Sequence, residues 1–259
     1  MELRGKTVWV TGASSGIGEA LAYVLAEHGA RLILSARREL RLEELRRSLP
    51  RPDEHRVVPL DLTDGDRLEG LAQDVGDVDI LVNNGGISQR GFAIDTRLDV
   101  VRRIMETNFF GTVALTRGVL PGMLERGRGH LLVISSVAGK FGTPMRSSYA
   151  ASKHALHGYF DALRLEVEDR GVAVTMVCPG YVRTAVSENA LGPDGSPHRR
   201  LDPGQAGGIS PEAAALRIKR AIERNEREIY FGGREVLGVY AKRLAPALFD
   251  RILRRVNVT

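Results

Sequence analysis

Short apolar runs of strand length alternate along the chain with longer stretches of helical pattern. The strand-like runs fall at 7–11, 31–35, 56–60, 79–83, 130–135, 172–178 and 228–231, and the intervals 16–28, 38–48, 64–75, 97–125, 147–170 and 211–226 read as helices. Strands that alternate with helices predict a parallel sheet covered on both faces, an α/β doubly wound fold of seven strands. Ligands of such sheets bind beyond the carboxyl ends of the strands, where the strand order reverses. No linker, repeat or low-complexity tract interrupts the pattern, so residues 1–259 read as a single domain. The Pro/Gly-rich stretch Gly192 to Gly208 is the one long irregular insertion, and 185–209 is expected to act as a lid.

Composition narrows the class. With 259 residues, 43% of them hydrophobic, the chain can bury a full core. Met1 to Lys6 runs straight into the first strand, and no apolar run reaches membrane-spanning length. Together with a single cysteine, Cys178, which reads as a small core residue, this leads to the expectation of a cytoplasmic protein. The net charge is +5 and the isoelectric point about 9.6, but the excess is concentrated at one end. From Gly233 onward Arg234, Lys242, Arg243, Arg251, Arg254 and Arg255 face only Glu235 and Asp250. That distribution argues against a nucleic-acid partner, because the remainder of the chain is nearly neutral.

Candidate chemistry sits at the strand ends. The first strand runs into Thr11-Gly12-Ala13-Ser14-Ser15-Gly16-Ile17-Gly18, with a helix following at once. Glycines there let backbone N–H groups approach a pyrophosphate, whose charge the helix N-terminus also favours. The spacing differs from the G-x-G-x-x-G fingerprint, and a tight strand-to-helix turn is the bland alternative. The second strand ends Ser35-Ala36-Arg37-Arg38 with no carboxylate to hold a ribose 2′-hydroxyl. NADP(H) is therefore the expected cofactor, with Arg37 on the 2′-phosphate and Arg38 beside the adenine; a solvated basic helix start would look the same. Asp61-Leu62, at the end of the third strand, can accept from the adenine amino group, or Asp61 can merely lie in the turn while Thr63 caps the helix that follows. Asn83-Asn84-Gly85-Gly86 follows the fourth strand, where backbone must come close to a flat ligand. Asn108 lies inside a helical stretch, a poor place for asparagine unless its amide is used or it is exposed on a polar face.

The helix from 147 carries Tyr149 and Lys153, four apart and so on one face. A neighbouring ammonium favours the phenolate and lowers the phenol pKa toward that of a working acid or base. Ser136, thirteen residues earlier, ends an apolar run.

Thr-Gly-x3-Gly-x-Gly at 11–18, Asn-Asn-Gly-Gly at 83–86, Asn108, Ser136, Tyr149-x3-Lys153 and Pro179-Gly180 resemble, in order, the short-chain dehydrogenase/reductase family, over Lys6 to about Gly232. Gly85 stands where that family usually has alanine. Val133 to Lys140 and Tyr149 to Arg164 are similar to its hydroxysteroid-dehydrogenase-like branch, which includes dehydrogenase/reductase member 7 and in which many proteins carry an N-terminal membrane anchor. The resemblance implies a Rossmann-like fold, a homodimer or homotetramer, and hydride transfer between a nicotinamide and a carbonyl or alcohol, with a hydrophobic, lipid- or steroid-like substrate. It implies Tyr149 as general acid/base, Ser136 holding the substrate oxygen, Lys153 on the nicotinamide ribose, and Asn108 positioning a water. Pro179, Gly180, Val182 and Thr184 would pass the nicotinamide carboxamide. No metal is called for, and His154 and His157 are expected at the surface. Phe141, Met145, Tyr181 and Leu191 are expected in the pocket wall or in ordinary core packing.

Other readings of the same residues are a non-catalytic nucleotide sensor, which would need none of Ser136, Tyr149 and Lys153, and a sugar-nucleotide epimerase, which normally has a larger C-terminal domain. The extension 234–259 reads as a basic amphipathic helix after Pro246, with Leu248, Phe249, Ile252, Leu253 and Val256 on one face. It can touch an anionic membrane surface peripherally, cover its own domain or meet a partner subunit.

Overall fold

The computed structural model describes residues 1–254, apart from the side chain of Asp66. Arg255 and Val256 of the expected tail helix lie outside the described residues. The strands are β1 (Thr7–Thr11), β2 (Arg31–Ser35), β3 (Arg56–Val57), β4 (Ile80–Asn83), β5 (Gly129–Ile134), β6 (Val172–Pro179) and β7 (Glu228–Phe231). They form one parallel sheet in the order β3-β2-β1-β4-β5-β6-β7. The order reverses between β1 and β4, which fixes where a ligand can enter the carboxyl edge. β3 is shorter than the expected 56–60, although Val58 N and Leu60 N still donate to Leu34 and Ala36 of the β2 side.

Alternate residues of each strand feed opposite faces. Val8, Val10, Leu32, Leu34, Val82 and Leu132 pack with Leu21 and Leu25 of α1 (Gly16–Glu27), Leu42 of α2 (Glu39–Ser48) and Ile218 of α8 (Pro211–Arg224). Trp9, Ile33, Leu81, Leu131 and Val133 face Leu68 of α3 (Gly65–Val75), Leu115 of α5 (Gly111–Glu125) and Phe160 of α6 (Ser147–Val167). Each such side chain, fully buried, contributes roughly 1.5–3 kcal/mol.

The expected helix 97–125 is α4 (Leu98–Met105) and α5 joined through one π-helical turn, Glu106–Phe110. Thr63 does not cap α3; the cap position is Asp64. Helix α7 (Pro203–Ala206) lies within 185–209. The tail forms two helices rather than one, α9 (Leu237–Leu244) and α10 (Pro246–Leu253). Phe249 turns inward and meets Phe141 edge to face, ring centroids 5.1 Å apart, whereas Leu248 and Ile252 stay exposed. Among the described residues no helix is long and apolar enough to cross a membrane.

Candidate functional site

A cavity of about 800 Å³ runs along the carboxyl edge of the sheet from the β1–α1 turn to the start of α6. Every residue expected to act in catalysis or to hold the cofactor lines it except Gly18 and Asn108.

At one end, Gly12 and Gly16 have φ of +65° and +61°, the left-handed region that side chains with a Cβ avoid. A Cβ on Gly12 would lie 2.8 Å from Asn84 Nδ2 and 2.9 Å from Gly85 Cα, and one on Gly18 would run into the Gly12 carbonyl. The glycines therefore let the turn pack closely against the loop after β4, and the resulting glycine cradle borders the cavity. Thr11 Oγ1 accepts from the backbone N–H of Asn84 and Gly85, and Asn84 Nδ2 donates to Thr11 O at 2.9 Å, so β4's loop is tied to the turn. A Cβ at Gly85 would press on Leu62 Cδ1 at 2.6 Å. Arg38 Nη2 donates to Ser14 Oγ (3.0 Å) and Ser14 O (3.1 Å), while Arg37 is exposed at the same edge. Asp61 Oδ1 accepts from Thr63 N at 3.0 Å and Thr63 Oγ1 at 2.9 Å, so at least one of its oxygens shapes the turn.

At the other end, the Ser136 hydroxyl accepts from Ala138 N at 3.1 Å and is hydrogen-bonded to the Tyr149 phenol. Lys153 is buried, its ammonium 5.8 Å from the Tyr149 ring centroid and donating to Ile134 O at 2.7 Å. Loss of hydration lowers the Lys153 pKa to about 8. Burial raises the Tyr149 pKa; the Ser136 hydrogen bond opposes the rise, followed by the charges of Arg146 and Arg90. The lowering that the sequence assigns to Lys153 thus comes here first from Ser136 and then from two arginines that sequence reasoning missed, and it does not outweigh burial.

Those arginines share one carboxylate. Asp202 Oδ2 accepts from Arg90 Nε and Arg146 Nη2, each at 2.8 Å, with Arg90 and Asp202 almost wholly buried. The sole sequence signal was Asp202 standing before Pro203 as the first residue of a helix start.

Asn108 is buried in the π turn rather than exposed. It accepts from Ile87 N (2.8 Å) and donates to Ile87 O and Ser152 Oγ (2.9 Å each), pinning the loop after β4 to α6. Gln205 Nε2 donates to Val182 O and, at 3.2 Å, to Thr184 Oγ1, covering two of the groups expected to meet the carboxamide. Phe141 and Tyr181 line the cavity, whereas Met145 and Leu191 lie outside its wall. His154 is exposed as expected, but His157 is buried beside Cys178, Ser135 and Glu228. The Lys140 ammonium, 2.6 Å from Glu228 Oε1, supplies the cation of that cluster, and burial pushes the Cys178 thiol pKa up.

The family model for short chain dehydrogenases matches residues 6–192. The chain belongs to this family. Among its relatives, a dehydrogenase/reductase SDR family protein 7-like of Anopheles gambiae is 44% identical over 98% of this chain and 83% of its own length. A Streptomyces avermitilis short-chain dehydrogenase superposes with a TM-score of 0.81 at 32% identity, over 96% of this chain and 98% of that one. Two more distant structures, each 24% identical, share the fold. The Burkholderia cenocepacia protein, in complex with NADP, has a TM-score of 0.81 over 98% of this chain and 99% of its own. The Burkholderia phymatum protein, in complex with NAD, has a TM-score of 0.79 over 100% and 98%. As a short-chain dehydrogenase/reductase the protein is an oxidoreductase.

Proposed function

We propose that the protein is an NADP(H)-dependent oxidoreductase interconverting a carbonyl and a secondary alcohol in a hydrophobic, lipid- or steroid-like substrate. What carries the reading is the meeting of Ser136, Tyr149 and Lys153 in one cavity with the glycine cradle. Gly12, Ser14, Ser15, Gly16 and Ile17 line the cavity at the N-terminus of α1, which suits a pyrophosphate, and Arg37 and Arg38, with no carboxylate at the end of β2, favour a 2′-phosphate there. Bound NADP(H) would supply the hydride at its nicotinamide. Tyr149 gives its proton to the substrate oxygen in reduction and takes it back in oxidation, while the Ser136 hydroxyl holds that oxygen. Lys153, whose ammonium lies 5.8 Å from the Tyr149 ring centroid, holds the ribose, while Ser136, Arg146 and Arg90 favour the phenolate. Asn108 fixes the loop facing that lysine and positions a water. Segment 185–209 closes over the substrate, and apolar wall residues such as Val137, Phe141 and Leu237 suit a hydrophobic one. Exposed Leu98, Phe110 and Leu165 on the α4–α6 side support a homodimer or homotetramer.

The test is binding of NADPH and NADH by the purified protein and by Arg37→Asp, with ketone and aldehyde turnover by Tyr149→Phe. NADPH should bind tighter, and Arg37→Asp should lose that preference by roughly 10- to 100-fold, the size of a charged hydrogen bond. Tyr149→Phe should keep binding and lose about 10²–10⁴-fold in turnover. Equal binding of both nucleotides by the native protein would remove the phosphate assignment, and unchanged turnover would remove Tyr149 as acid/base.

A further inference from the structure

We infer that α9 and α10 dock on an anionic lipid bilayer, and that the cavity takes its apolar substrate from that surface. Leu237, Tyr240, Leu244, Leu248 and Ile252 are between 53% and 83% exposed, so five large apolar side chains face outward within sixteen residues. Their spacing puts Leu237, Tyr240 and Leu244 on one face of α9, and Leu248 and Ile252 on one face of α10. Folding has not covered them: Phe249 and Leu253 pack toward Val137 and Phe141, which leaves the other apolar stripe to the outside.

Charge decides the occupant. Arg234, Arg243, Arg251 and Arg254 are exposed around the stripe. Of the two acids in this segment, Glu235 Oε1 is turned onto the backbone N–H of Tyr181 (2.7 Å) and Gly233 (2.9 Å), and Asp250 is paired with Lys242 at 2.8 Å. An apolar stripe rimmed by arginines matches the acyl and headgroup layers of an anionic bilayer. A second copy docking through the same patch would bring like charges together, because a two-fold interface is self-complementary.

The stripe is continuous with the cavity. Leu237 and Ile252 are exposed to the outside and also line the interior wall, which continues through Phe141 and Val137 toward Ser136. An apolar molecule in the bilayer therefore meets apolar side chains along its whole path to the Tyr149 phenol. This route rests on the function proposed above; the docking itself does not.

The experiment is cosedimentation of the full chain with phosphatidylcholine vesicles, with and without phosphatidylglycerol. Binding is expected only to the anionic vesicles and should weaken with salt. The double variants Leu244→Glu/Leu248→Glu and Arg243→Glu/Arg251→Glu should each reduce vesicle partition by at least about tenfold. None of these side chains lines the cavity, and retained NADPH binding certifies the fold. A ketone carried in the vesicles should show a raised KM with the leucine variant, while a short water-soluble ketone should not. Absence of binding to anionic vesicles at low salt, or undiminished binding by both variants, would overturn the docking. So would self-association seen by sedimentation velocity and abolished by the leucine variant without any vesicle binding, which would assign the patch to a second copy. Vesicle binding by a protein that turns over no carbonyl would leave the docking standing and refute the function.

Discussion

Tyr149 is held between burial, which favours the neutral phenol, and a set of donors and cations that favour the phenolate. Arg146 is one of those cations, and it lies on the lining of the cavity with its guanidinium 5.7 Å from the Tyr181 ring centroid. Removing it takes away a charge that lowers the Tyr149 pKa. Arg146→Met should therefore move the pH profile of alcohol oxidation to higher pH, and Arg146→Lys should restore part of the shift. An unmoved profile with lowered kcat would instead assign Arg146 to holding Asp202. The Tyr149–Lys153 pair was legible because residues four apart on a helix must share a face. Asn108 drew notice because an amide inside a helix wants partners. Arg90, Arg146 and Asp202 were not legible: the carboxylate is 112 residues from Arg90, and no local spacing brings them together. His157 was misjudged because one turn of rotation separates it from Lys153 and the helix buries that whole face.

At the level of the helices, two glycines separate packing from propensity. Gly111 opens α5 where a Cβ would strike the Leu62 carbonyl, so the helix and the loop after β3 approach closely. Gly111→Ala adds helix propensity of about 1 kcal/mol, but the collision is with backbone and should cost more, leaving a net loss of roughly 1–3 kcal/mol. Gly158 lies inside α6 with nothing within 4 Å of its added Cβ, and Gly158→Ala should stabilise by about 0.5–1 kcal/mol. Thermal unfolding of the two variants should therefore shift in opposite directions. The helices were readable from apolar periodicity to within a residue or two at most ends. The π turn was not, because one extra residue hardly disturbs that pattern. The extension 234–259 was expected to be helical, but not its division into α9 and α10, because Pro246 can open a helix as well as follow one.

For the molecule as a whole, acid should be the destabilising direction. Burial depresses the pKa of His130 and of His157 to about 4, against 6.5 when unfolded. Between those values the unfolded chain binds the extra proton and the folded one does not, so stability rises with pH. It should be flat in this respect above about pH 6.5 and fall toward pH 4, with each histidine costing on the order of 3 kcal/mol at the acid end. Denaturant melts across that range should show the decline, and His130→Gln should make it shallower; an identical slope in the variant would exclude His130. The alternation of strands and helices revealed the sheet, but not its order, since periodicity says nothing of which strand lies beside which. That order has a consequence during synthesis. Val8 of β1 lies opposite Ile80 of β4, 72 residues further on, and no hairpin closes the gap. At about 5–20 residues per second, β1 waits roughly 4–14 seconds on the ribosome with that edge unpaired. A nascent chain of this protein therefore offers chaperones a bare strand edge beside Trp9 until its fourth strand emerges.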